Sequence, residues 1–115
     1  MKIEHSFSPE LVYAELLKSG EAWADADAAA TLLEETLRSV RSELKLDSSE
    51  KSDAARETEA LASPSFKAHV VSMVEARRVA NRARVGYDAV RTLADLRRSE
   101  HATRRAEAQL AGLQP

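Results

Sequence analysis

Small and apolar side chains recur along the first third of the chain at alternating spacings of four and three: Val12, Leu16, Ser19, Trp23, Ala26, Ala30, Leu33, Leu37, Val40 and Leu44. Such spacing winds one continuous stripe along a helical face, and over several heptads it reads as a seam for a second helix. Ser8-Pro9-Glu10 announces the start. Ser8 suits capping of orphan amides, proline suits the first helical position, and a carboxylate favours the positive end of the helix dipole. The pattern predicts one helix over residues 9–46. Gly20 lies inside it and disfavours helix by about 1 kcal/mol relative to Ala. The register does not slip across Gly20, so the helix is expected to run through.

A second seam follows Ser63-Pro64: Phe66, His69, Met73, Ala76, Ala80, Ala83, Tyr87, Val90 and Ala94. It predicts a longer helix over residues 64–109, with Gly112 and Pro115 at a frayed end. Small residues dominate this seam, so a partner helix can approach closely. Beyond Ala94 the same positions become Arg97, His101 and Arg104. Between the two helices, "DSSEKSD" at residues 47–53 reads as a polar turn. Asp47 and Glu50 have the spacing of a capping box, so residues 48–61 are expected to form a short helix or a connector, anchored only by Ala54, Ala55, Ala60 and Leu61.

The expected fold is therefore all-α: a long antiparallel, coiled-coil-like helical hairpin forming a single domain over residues 1–115. Composition agrees, since the chain has 21 alanines but only three glycines and three prolines, the usage of long helices rather than sheets. At 115 residues one domain is the default. There are no cysteines, which removes disulfides and thiolate zinc sites from consideration. "MKIEHSFSPE" contains no apolar leader segment, and no run approaches the length of a membrane span. The expectation is a soluble, cytoplasmic protein without membrane contact.

Charge changes the picture. The formal net charge of −2 hides an acidic half and a basic half: residues 1–63 carry seven Lys/Arg against fourteen Asp/Glu, and residues 64–115 carry ten against five. Within the basic half, Arg77, Arg84, Arg91, Arg98 and Arg105 stand seven positions apart. With the seams at heptad positions a and d, this row falls at e, and the first helix presents Gly20, Asp27, Glu34 and Arg41 at e. Antiparallel helices set e beside e. Folding back with Leu46 near Pro64 brings Glu34 to Arg77 and Asp27 to Arg84. It also brings Gly20 near Arg91 and Trp23 beside Tyr87, with Gly86 giving the rings room. The first helix runs out at Pro9, roughly opposite residue 101. Arg97, Arg98, Arg104 and Arg105 then lie at or past the acidic helix, and form the candidate nucleic-acid-contacting patch.

Little else carries chemistry. His5, His69 and His101 are far apart, and none has a second ligand at helical metal-binding spacing. Phosphate-loop, dinucleotide, zinc-protease and nucleophile-elbow motifs are absent from the sequence. The paired carboxylates Glu34-Glu35 and Asp25/Asp27 read as solvated helix surface. Trp23 and Tyr87 could serve as base-stacking platforms, but both fall on the seam and read as core. No catalytic, cofactor-binding or metal-ligating residue is expected, and no cofactor.

Residues 75–107, with the strings "ARRVANRARVGYD" and "LRRSEHATRRAE", resemble the C-terminal helix of small, uncharacterised helical proteins of tailed bacteriophages and prophages. These tend to be encoded near replication and recombination genes. The resemblance implies a bacterial cytoplasmic setting and an accessory role beside DNA-handling proteins, and transfers no functional residue. Leu17, Leu32, Val71, Val74, Val79, Val85, Leu93 and Leu96 fall outside the two-helix seam. A lone hairpin leaves them in water, so the leading expectation is a non-enzymatic interaction module. It would form a homo-oligomer, a dimer first, or dock on a protein partner. A nucleic-acid-binding accessory protein ranks second.

Overall fold

The computed structural model describes residues 8–113; His5 and Pro115 lie outside them. Three helices follow in order: α1 (Pro9–Asp47), α2 (Asp53–Ala62) and α3 (Pro64–Leu113). The long α1 and α3 pack antiparallel along their length, and α2 leans on the end of α1 near the turn. The all-α hairpin expected from the two seams is the observed architecture.

Both helix starts form as their sequences predict. Ser8 Oγ accepts the Leu11 amide at 3.5 Å, with Pro9 in the first turn. Pro64 opens α3 at the position its fixed φ favours, and Ser63 Oγ accepts the Ser65 amide at 3.2 Å. Helix α1 passes through Gly20 without a break. Helix α3 continues four residues past its expected end, because Ala106, Ala108, Leu110 and Ala111 are strong helix formers that carry it through Gly112.

The connector differs from expectation. Asp47 is the last residue of α1, and Ser48 caps that helix by bonding its amide to the Lys45 carbonyl. The short helix starts only at Asp53, with Ser52 Oγ accepting the Ala55 amide at 3.1 Å. The Asp47/Glu50 box does not form, since Ser48 Oγ takes the Glu50 amide instead. Side chains then tie α2 down: Lys45 meets Asp53 at 2.9 Å, Arg41 meets Glu57 at 3.3 Å, and Ser48 donates to Glu59.

Every residue assigned to the seams from Val12 to Ala94 is buried or half-buried. Full burial is reached only by alanines, Ala30, Ala60, Ala80 and Ala94; among the described residues no large side chain is fully covered. A two-helix layer cannot surround a Leu or Phe, so the seam is closed by small residues and shielded by half-wet large ones. The molecule measures 93 × 27 × 17 Å with a radius of gyration of 25.3 Å, against about 13 Å for a compact chain of this length. No helix of the described residues is long and apolar enough to cross a membrane.

Candidate functional site

Arg77 is the hub of the charged flank. From position e of α3 its guanidinium reaches across the seam to two carboxylates of α1. Nε donates to Glu34 Oε2 at 3.0 Å and Nη2 to Glu34 Oε1 at 2.6 Å, a two-pronged pairing. Nη1 donates to Asp27 Oδ1 at 2.7 Å, and Nη2 also reaches Thr31 Oγ1 at 3.3 Å. These bonds hold the Glu34 carboxyl below the usual glutamate range and raise the already high pKa of Arg77. At the turn, the hydrogen bond from Lys45 lowers the Asp53 carboxyl in the same way.

The pairing of Asp27 with Arg84 does not occur. Arg77 serves both acids, because a guanidinium offers five donors in a planar fork and the Asp27 and Glu34 side chains, one heptad apart, both converge on it. Arg84 lies over the Trp23 ring instead, with its guanidinium carbon 5.8 Å from the ring centroid, and its Nε is 4.0 Å from Asp88 of its own helix.

Trp23 and Tyr87 meet as the register requires, centroids 5.5 Å apart and planes tilted by 32°. Both rings are half-buried. They turn towards each other across the seam, which favours packing over base stacking. The glycine beside them is Gly20, not Gly86: a Cβ on Gly20 would stand 3.5 Å from the Tyr87 ring, whereas one on Gly86 would meet nothing within 4 Å.

His69 supplies a link that sequence patterning does not reveal. Its Nε2 donates to the Leu33 carbonyl of α1 at 2.8 Å, with Thr36 Oγ1 at 3.5 Å. A ring nitrogen facing a carbonyl oxygen must carry the proton. The only sequence signal for this bond was a polar ring at a seam position.

The expected anionic-ligand patch is divided between two environments. Arg97 is half-buried at the last turn of the seam, and Arg98 pairs with Asp95 of its own helix at 3.2 Å. Arg104 and Arg105 are exposed on the part of α3 that extends past α1, and make no ion pair among the described residues. His101 is exposed on the same stretch. A concavity of about 570 Å³ forms an open groove on the flank of α3, lined by Met73, Val74, Arg77, Arg78, Arg82 and Val85 among others. Among the described residues no group of three or more His, Asp or Glu is placed to hold a metal ion. In comparisons with known proteins, the chain matches no family model, no curated protein and no solved structure.

Proposed function

We propose that this protein is a non-enzymatic helical interaction module that works as a self-associated assembly, with a dimer as the simplest closed form. One observation carries the reading: the chain keeps 9016 Å² of surface in contact with water, against about 6,200 Å² for a compact monomer of its mass. All eight apolar residues left outside the seam by the sequence pattern are among the exposed large hydrophobics. A hairpin that buries only alanines completely is half of a core, and a second copy is the partner always present at equal concentration. The resemblance of residues 75–107 to phage-encoded helical proteins fits an accessory role beside DNA-handling proteins. Sedimentation equilibrium at tens of micromolar protein tests the reading, with a mass of about two chains expected. A single-chain mass with helicity and cooperative melting intact would remove it.

A second reading, nucleic-acid binding, is favoured by one feature, the extension of α3 past α1, which among the described residues leaves Arg104 and Arg105 without a carboxylate of α1 beside them. Four arginines, Arg97, Arg98, Arg104 and Arg105, predict a log–log salt slope on duplex DNA of about −3 to −4, which Arg98→Ala with Arg105→Ala flattens by about 2. Absence of binding at ~50 mM salt, where counterion release still favours association, would exclude it.

A further inference from the structure

The two flanks of the hairpin are chemically unlike. Antiparallel helices set e beside e on one flank and g beside g on the other. On the e flank every residue from Asp27 to Arg41 of α1 and from Arg77 to Arg98 of α3 is charged. On the g flank Ala22, Ala29 and Thr36 face Ser72, Val79, Gly86 and Leu93, an uncharged central stretch bounded by Glu15 and Glu43 on α1 and by Glu100 on α3. All but Thr36 are exposed, and Leu32 and Leu96 extend the apolar face beside them. Helix α2 leaves this flank open, since its ion pairs are with Arg41 and Lys45 on the other side of α1. A two-helix coil in water has no need of an uncharged flank, whereas a four-helix bundle does.

Resting on the self-association proposed above, we infer that a second copy of this chain docks on the g flank, antiparallel, around a two-fold axis level with the midpoint between Val79 and Gly86. Three observations choose this occupant and this orientation. The first is area: the surplus over a compact monomer exceeds the roughly 800 Å² per partner of a standard interface several-fold. The second is shape. The hairpin register sets Ala22 near Gly86 and Ala29 near Val79, so a two-fold between these levels lays Val79 against Gly86 of the second copy and Ala22 against Ala29 of the second copy. Gly86 has no use inside the hairpin, where nothing lies within 4 Å of its missing Cβ; opposite an incoming Val79 the bare backbone makes room. The third is charge. The turn end, residues 47–59, carries five acidic residues against two basic ones, and residues 97–105 carry four arginines against one glutamate. At 1.5 Å per residue, Pro64 lies about 28 Å from the axis on one side, and Arg98 to Arg105 lie about 23–34 Å away on the other. The two-fold therefore sets the basic end of each copy, with Arg97 and Arg104 at seam positions, level with the acidic turn of its partner, whereas a parallel dimer would set like-charged ends side by side.

The test uses the full-length chain with Gly86→Leu, a change whose Cβ meets nothing within 4 Å in the hairpin and which improves helix propensity. Sedimentation equilibrium is expected to show the dimer dissociation constant raised about tenfold or more, with helicity by circular dichroism retained. Val85→Glu, on the outer edge of α3, is expected to leave the constant within about twofold. Because the chain has no cysteine, proteins carrying Val79→Cys and Gly86→Cys can be mixed and oxidised. The expected product joins one of each, since like residues sit about 10 Å out of register. A monomeric wild type would end both this inference and the reading it rests on. A wild-type dimer indifferent to Gly86→Leu, or one that cross-links like with like, would overturn the flank or the pairing while leaving self-association standing.

Discussion

Arg77 shows how a single guanidinium fixes a register that the heptad pattern alone leaves to charge matching. The sequence pairs acidic with basic e positions one to one. The structure gives both acids to Arg77 because its side chain is long and forked, and leaves Arg84 to the Trp23 face. That choice was not legible in the sequence, since both arginines lie at the same heptad position and only the atomic reach separates them. Arg77→Ala is expected to lower the melting temperature by a few degrees and Arg84→Ala by less, as read by thermal denaturation at low salt. The exchange Glu34→Arg with Arg77→Glu should recover part of what either single change loses; a double-mutant cycle without coupling would mean that the helices pair differently. The depressed Glu34 and Asp53 carboxyls add a pH dependence. Their stabilisation is complete above the ordinary carboxylate range and is lost as pH falls through the lowered folded-state values. The melting temperature should therefore drop below about pH 4.5, and Glu34→Gln should flatten that drop. Trp23, half-buried rather than enclosed, should lose about 2–3 kcal/mol on Trp23→Ala, below the full-burial range. Equilibrium unfolding in urea measures it.

At the scale of elements, the long helices were legible because ten seam positions in one and nine in the other hold an unslipped register, and because Ser-Pro marks both starts. Helix α2 was only partly legible. Asp47 and Ser52 are both good caps, and which one opens the helix depends on where α1 stops, which tertiary ion pairs at Lys45 and Arg41 decide. Gly20 gives a discriminating test. A methyl there would stand at ordinary contact distance from Tyr87, so Gly20→Ala should stabilise the chain by up to about 1 kcal/mol through helix propensity. A loss instead would show that the Tyr87 ring lies closer than 3.5 Å to the added methyl. Ser52→Ala should speed amide exchange in residues 53–62 selectively, because the cap bond is worth about 1 kcal/mol to a helix of three turns with little apolar anchoring.

For the molecule as a whole, the seam pattern predicted the leftover apolar side chains, but the cost of leaving them in water only became visible with the shape. A rod 93 Å long and 17 Å thick has no interior for a Leu or a Phe, and its unlike flanks indicate where the missing half belongs. Small-angle X-ray scattering measures mass and shape together. The antiparallel two-fold assembly predicts a forward scattering of two chains, about twice 12.6 kDa, with a maximum dimension still close to 93 Å. The forward scattering of a single chain at tens of micromolar, or a doubled mass with a doubled length, would contradict it.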